Sequence, residues 1–537
     1  MFFDAVAAPL FLVALTLPFV FGYTQPPSSN FWPVMASWSC GLVMLLLWWW
    51  RSRRARAGAE GGVEGRVFIA TQLAAGLLLA ALLGSVIGLV QYFAGDVGLS
   101  PWVQASTPGQ AIGNLRQRNQ QASLLSLGVW ALLWILAQIQ ARLDAGGKAA
   151  QVQEVLLGGG RPWPAWLVGI LLAWGMALLA TGSAATASRT GALQWLVVLG
   201  LLILWRASCG RVALGLSLAG VLLYVAAAWL LPRLLLEWTG FTMDGLFTRI
   251  LDEEQACTSR RALWANVLHL IAEKPWLGWG WGELDYAHYV TLFPGVRFCV
   301  LLDNAHNLPL QLAVELGLPV AVLVCATVGV WMVRAKPWRE SDPVRQLAWG
   351  VLAIIGVHSL LEFPLWYGPF QVVTLLAVAL LWQGALPRWL VGPAARVAVG
   401  MAVAGAVMLG GMAARDYYRV SLLYRPVPLR PAAYQDDTAA KVSDTLFFSD
   451  QVDFALLTNT SLTRETAPQI NLLARELLHF SPEPRVIQAL IESAVLLGKD
   501  DEAAFHMKRY RIAYPAEYER WKRPGAAKAS SGVSTAP

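Results

Sequence analysis

Residues 31–56 read FWPVMASWSCGLVMLLLWWWRSRRAR. An uncharged apolar run ends in Trp48, Trp49 and Trp50, and Arg51, Arg53, Arg54 and Arg56 follow at once. About 20 apolar residues are what a helix needs to cross the ~30 Å hydrocarbon layer. Indoles favour the membrane–water boundary, and short loops rich in Lys and Arg stay on the cytoplasmic side. This stretch therefore reads as a membrane span whose C-terminal end faces the cytoplasm.

The rest of the chain repeats the pattern. Of 537 residues, 56% are hydrophobic and 14% charged, with 26 Trp and a mean hydropathy of +0.50. A soluble domain carries about 25% charged residues, so a water-soluble enzyme is excluded. The charge is uneven: 31 of the 75 charged residues lie in the last 123 positions, from Arg415 on. The reading is an all-α polytopic membrane domain over 1–414 and a soluble helical domain over 415–524, with a disordered tail at 525–537. Eleven candidate spans emerge: 5–22, 31–50, 67–93, 120–141, 164–183, 191–206, 212–231, 308–333, 346–367, 370–386 and 395–413. The first lacks the basic n-region of a cleavable signal peptide, and another span follows it closely.

The even-numbered spans end in basic segments: Arg142, Lys148 and Arg161; Arg206 and Arg211; Arg334, Lys336, Arg339 and Arg345; Arg388 and Arg396. With the N-terminus inside, all are cytoplasmic, and the soluble domain is outside, in a bacterial periplasm. A large outer loop, about 232–306, carries Arg233, Arg249, Arg260, Arg261, Lys274 and Arg297. Arg189 stands apart, because its outer loop is only a few residues long. An arginine at the membrane costs up to about 3 kcal/mol on insertion scales and tends to mark a site.

Several motifs cluster on the outer side. Gly113-Asn114-Leu115-Arg116-Gln117-Arg118-Asn119 opens the fourth span. Its amides and guanidiniums offer donors to sugar hydroxyls and phosphates, or else begin a polar helix. Ser188-Arg189-Thr190-Gly191 presents a guanidinium to a lipid diphosphate, or to a headgroup by snorkelling. Trp276-Leu277-Gly278-Trp279-Gly280-Trp281-Gly282 alternates indoles with glycines, which suits sugar rings and the membrane interface equally. Asp303-Asn304-Ala305-His306-Asn307 stands where the loop re-enters the membrane. His306 is either a structural histidine or a group able to take a proton near neutral pH. His288 reads as a surface residue of the loop, and His269 as part of an amphipathic helix. Glu362, in His358-Ser359-Leu360-Leu361-Glu362-Phe363-Pro364-Leu365-Trp366-Tyr367, is a carboxylate within a span and wants a partner such as an arginine. Tyr367 reaches the same cavity or joins the interfacial aromatics.

No metal-ligand spacing and no phosphate-cradling loop is evident, so no cofactor is expected. The positive charge is spent on topology, and nucleic acid is not expected as a partner. Cys257 and Cys299 share the outer loop, where disulfides persist, and are expected to be bridged.

Together these motifs resemble the O-antigen ligase/polymerase superfamily of bacterial inner-membrane glycosyltransferases. The carriers are Ser188–Gly191, Arg260–Trp264, Lys274–Gly280, and His306-Asn307 followed by Gln311, Glu315, Gly317 and Pro319. Within it the chain is most similar to protein (pilin-type) O-oligosaccharyltransferases, through Gly113-Asn114 with Gln117 and Asn119, through Glu362–Tyr367, and through the appended soluble domain. It departs from them at Arg116-Gln117-Arg118, where the family more often has Gly-Gln-Pro.

The resemblance implies transfer of a preassembled glycan from undecaprenyl diphosphate to a hydroxyl of an acceptor protein such as pilin, without metal and with inversion. His306 would be the base, and Arg189 with Arg260 or Arg261 the diphosphate clamp. Gln117 and Tyr367 would position sugar or acceptor, and Asn119, Arg116, Arg118, Asn304, Asn307 and Glu362 would line the site. Lipid A–core as acceptor, glycan polymerisation, and a polysaccharide or lipid transporter are the rival readings.

The soluble domain shows apolar spacings of three and four over 472–480, 485–497 and 502–514. Residues 498–515 resemble half of a tetratricopeptide-like repeat. Such helices bind protein segments or form a lid.

Overall fold

The structure is a computed structural model and describes residues 2–54, 59–144, 165–251, 256–382 and 392–523. Arg56, Lys148, Arg161 and Arg388, used above for orientation, and the tail 525–537 lie outside them. Every regular element among the described residues is helical. In chain order these are α1 (Phe2–Val20), α2 (Phe31–Arg54), α3 (Ala59–Ala94), α4 (Arg118–Asp144), α5 (Ala165–Ala185), α6 (Arg189–Leu204) and α7 (Arg206–Thr239). The long loop after α7 holds α8 (Leu246–Leu251), α9 (Arg260–Glu273) and α10 (Leu284–Val290). Then come α11 (Leu308–Leu316), α12 (Leu318–Ala335), α13 (Pro343–Ser359), α14 (Gly368–Leu381) and α15 (Pro393–Ser421). The C-terminal region adds α16 (Thr438–Val442), α17 (Ser449–Asn459), α18 (Ala467–Phe480), α19 (Pro484–Leu496), α20 (Asp500–Ala513) and α21 (Pro515–Trp521).

Among the described residues seven helices are long and apolar enough to cross a membrane: α2–α5, α7, α12 and α15. Shorter apolar helices lie at Val6–Val20, Arg189–Leu204 and Gly368–Leu381. This is a multi-pass membrane protein. Two expected spans are cut short. The run 308–333 is broken at Gly317, which takes φ 85° and caps α11 before α12 begins at Leu318. A glycine followed closely by proline, here Pro319, is a helix stop and restart. The run 346–367 is helical only to Ser359 and resumes as a single 3₁₀ turn at Pro364–Trp366. Glu362 is thus outside the helix, on the irregular segment before Pro364.

The chain packs as two units, 1–252 with 330–403 and 253–329 with 404–537. In the first, α4 is the hub, buried from Gln120 to Ala137. Its Trp130 lies over Gly350 of α13, where a Cβ would fall 2.1 Å from the indole, and donates Nε1–H to Leu347 O at 3.0 Å. Small residues allow such close approach where no hydrophobic effect drives helices together. In the second unit α9 and α11 share a core of Leu263, Val267, Leu270, Ala313 and Val314. A second core, of Ile470, Leu477, Ile487, Leu490 and Tyr510 on α18–α20, includes Tyr289 of the loop helix α10.

Candidate functional site

In the first unit three helix ends meet: the start of α4, the start of α6 and the segment after α13. Glu362, only 5% exposed, accepts from Asn119 Nδ2 at 2.9 Å and from Gln117 Nε2 at 3.2 Å. A buried carboxylate is tolerated only when hydrogen-bonded, and two side-chain amides supply donors here. Asn119 Oδ1 accepts in turn from Ser188 Oγ at 2.6 Å. A second polar layer lies one turn deeper: Ser123 Oγ is 2.7 Å from His358 Nδ1 and accepts from Gln194 Nε2 at 2.6 Å.

Ser188 also caps α6, accepting from Gly191 N at 3.0 Å, which puts Arg189 on the first turn. Unpaired N–H groups and the helix dipole already attract anions there, and the guanidinium adds a full charge. Arg189 Nη1 donates to Arg249 O at 3.5 Å, and Arg249 Nη1 to Ala187 O at 2.9 Å. Arg118 feels the charges of both Arg249 and Asp244. Like charges disfavour one another, and the Asp244 carboxylate opposes that repulsion here. Arg116 donates to Ser29 O, and burial holds its guanidinium below the usual arginine range, with Tyr367 opposing. Tyr367 is half-buried against the core of this unit.

The second unit repeats the serine cap. Ser259 accepts from Ala262 N at 3.3 Å, and Arg260 and Arg261 open α9. One turn on, Trp264 Nε1 donates to Ala305 O at 3.1 Å, tying α9 to the residue before His306. The His306 backbone has φ 50° and its N–H donates to Asn304 Oδ1 at 2.9 Å. Asn307 Oδ1 caps α11 by accepting from Leu310 N at 3.1 Å, and Gln311 Oε1 accepts from Ala305 N at 2.6 Å. The sequence reading gives Asn304 and Asn307 to substrate; the structure engages their carboxamide oxygens in setting the turn around His306. Among the described residues five non-glycine positions have positive φ, and Arg116, Ala187 and His306 are three of them. Strain of about 1–3 kcal/mol per residue persists only where the surrounding structure over-determines the backbone. Cys257 is bonded to Cys299, with Cα atoms 5.3 Å apart.

His288 is a correction. It is 2% exposed, not a surface residue, because Asn266 Oδ1 and Arg297 Nη2 lie 3.2 Å from its two ring nitrogens. Burial and then the charge of Arg297 push it down to about 2. His506 is buried against Tyr289, His269 and His479 lie against Glu273 and Glu283, and His306 is half-exposed on its turn. Sequence reasoning placed Arg249 in the loop without a role. Its tie to Ala187 joins positions 62 apart that no local motif links. Among the described residues no group of three or more His, Cys, Asp or Glu is placed to hold a metal ion.

Three family models match the chain. One described as O-antigen ligase covers residues 174–325, hence Arg189, Arg260, Arg261 and His306. One described as protein glycosylation ligase covers 111–136, hence Arg116–Asn119. One described as the C-terminal part of a virulence factor membrane-bound polymerase covers 346–528, hence Glu362 and the C-terminal helices. A general O-oligosaccharyltransferase of Acinetobacter baylyi is 23% identical over 304 residues, 55% of this chain and 47% of that relative. The match thus spans about half the relative's length. No solved structure matches the chain.

Proposed function

We propose, from the premise that the chain is a member of the O-antigen ligase and O-oligosaccharyltransferase superfamily, that it transfers a preassembled glycan from undecaprenyl diphosphate to a Ser or Thr hydroxyl of a periplasmic protein. The observation that carries this reading is the repeated device of a serine-capped helix start bearing arginine, at Ser188-Arg189 and at Ser259-Arg260-Arg261. Guanidiniums beside helix N-termini suit a polyphosphate group, and a diphosphate is the leaving group of a lipid-linked glycan.

The acceptor oxygen attacks the anomeric carbon as the bond from that carbon to the diphosphate oxygen breaks. Both electrons of that bond leave with undecaprenyl diphosphate, whose growing charge the arginines stabilise. The hydroxyl proton passes to His306, half-exposed on a turn fixed by Asn304, Asn307 and Gln311. A single displacement gives inversion. In this reading the N-terminus and the basic loops face the cytoplasm of a bacterial inner membrane, and the C-terminal helices face the periplasm.

The match of 111–136 to a protein glycosylation ligase favours a protein acceptor. The test supplies a lipid-linked glycan together with either pilin or lipid A–core. Glycosylated pilin is the expected product, whereas modification of lipid A–core alone would make this a ligase of lipopolysaccharide. His306→Ala should abolish transfer while folded protein is retained; near-normal glycosylation by that variant removes His306 as the base.

A further inference from the structure

The indole-rich turn of the outer loop is absorbed by none of the roles above. Trp276, Leu277 and Trp281 expose 75%, 86% and 65% of their surface. Yet the turn that carries them is held firmly. Leu318 N donates to Pro275 O at 2.8 Å, Trp279 N to Val314 O at 2.8 Å, and Gly280 N to Glu315 O at 3.0 Å. Gly282 N donates to Glu315 Oε1 at 2.9 Å. The backbones touch: a Cβ on Gly317 would fall 2.2 Å from Trp276 O, and one on Gly278 2.4 Å from Glu315 C. From below, Lys274 Nζ lies 3.9 Å over the Trp279 ring, whose Nε1 donates to Leu270 O at 2.9 Å.

The turn is therefore in fixed register with the first residue of α12, a membrane-crossing helix. That helix turns Val320, Val322 and Leu323 outward, 38%, 62% and 66% exposed, and in a bilayer such residues meet acyl chains. The exposed apolar side chains of the turn are thus tied through the backbone to the exposed start of this helix. No charged residue falls between Pro275 and Gly282. Indoles partition to the boundary between headgroups and acyl chains, and leucine favours the acyl side. A sugar would stack on the tryptophans but gains nothing from Leu277, the most exposed of the three.

We propose that Trp276, Leu277 and Trp281 form a wedge seated in the headgroup–acyl boundary of the bilayer at the mouth of α12. Lipid covers it. Because the same turn is bonded to α11 and leads directly from α9, the wedge sets the height of both helices above the acyl layer. The inference rests on the span alone and not on the transfer reaction.

The test places one spin label on the full chain in lipid nanodiscs, at Leu277→Cys, with the thiols Cys40, Cys209 and Cys325 replaced by alanine. Leu277 is so exposed that its replacement removes little packing. Collision rates with oxygen and with a water-soluble nickel chelate are compared with labels at Val322→Cys, on the lipid face of α12, and at Ala504→Cys, exposed on α20. The expected ratio at 277 favours oxygen several-fold and lies nearer that of 322. A ratio nearer that of 504 puts the turn in water and overturns the wedge, leaving it to a sugar or a protein. Since depth is read without turnover, an inactive preparation still decides the question.

Discussion

The left-handed backbone at His306 separates what the side chain does from what the loop does. An L-residue there is strained by roughly 1–2 kcal/mol, and glycine would relieve this while adding about 0.5–1 kcal/mol of unfolded-state entropy. On the backbone terms alone His306→Gly is neutral or slightly stabilising, so any loss of stability reads the contacts of the imidazole itself, while transfer is lost. Thermal unfolding alongside a glycosylation assay reads both, and a drop of several degrees would mean that the imidazole packs as a structural group. The candidate residues were chosen at this scale, since arginines and a histidine flanked by amides announce themselves by type. The engagement of Glu362 by Gln117 and Asn119 was not legible. It joins residues more than 240 positions apart, and a long-range hydrogen bond leaves no local pattern.

Helix α10 shows how a short element of the long loop is held. Tyr286 stacks on His479 at 3.9 Å, Tyr289 OH is 3.1 Å from His506 Nδ1, and Arg509 Nε donates to Val290 O at 2.6 Å. Buried groups give this packing opposite responses to pH, Asp285 in one direction and His288 and His506 in the other. Burial first, with Glu283 and Asp303 adding, raises Asp285 from 3.8 to about 7. The folded state then holds the proton more tightly, and stability falls as pH rises from about 4 to about 7. Burial lowers His506 from 6.5 to about 4, so the unfolded state binds more protons and stability rises over that window. Asp285→Asn removes the first response and leaves the second. Protection of α10 from hydrogen exchange, corrected for intrinsic rates, should then rise from pH 4 to 6.5 in the variant. A variant profile that copies the parent's would mean that Asp285 is not the opposing group. The sequence marked the three C-terminal helices by their periodicity. It did not mark the loop helix that packs on them, because α10 is too short for a periodic signal.

For the whole molecule the proposed orientation puts the basic loops in the cytoplasm and the C-terminal helices in the periplasm. A maleimide that cannot cross the membrane should label Ala504→Cys in intact spheroplasts; labelling only after permeabilisation would invert the orientation. Each of the eleven apolar runs overlaps a helix among the described residues, but the breaks at Gly317 and after Ser359 were not read from them. Averaging hydropathy over a span hides one glycine or proline that interrupts it, and the break after Ser359 lies beside the candidate site residue Glu362. The turn at His306 has a last use. Asparagine tolerates a left-handed backbone better than other non-glycine residues, and its carboxamide cannot accept the proton. His306→Asn would therefore be a substrate trap, a chain that can hold donor and acceptor together without turnover and so make the loaded state available for imaging.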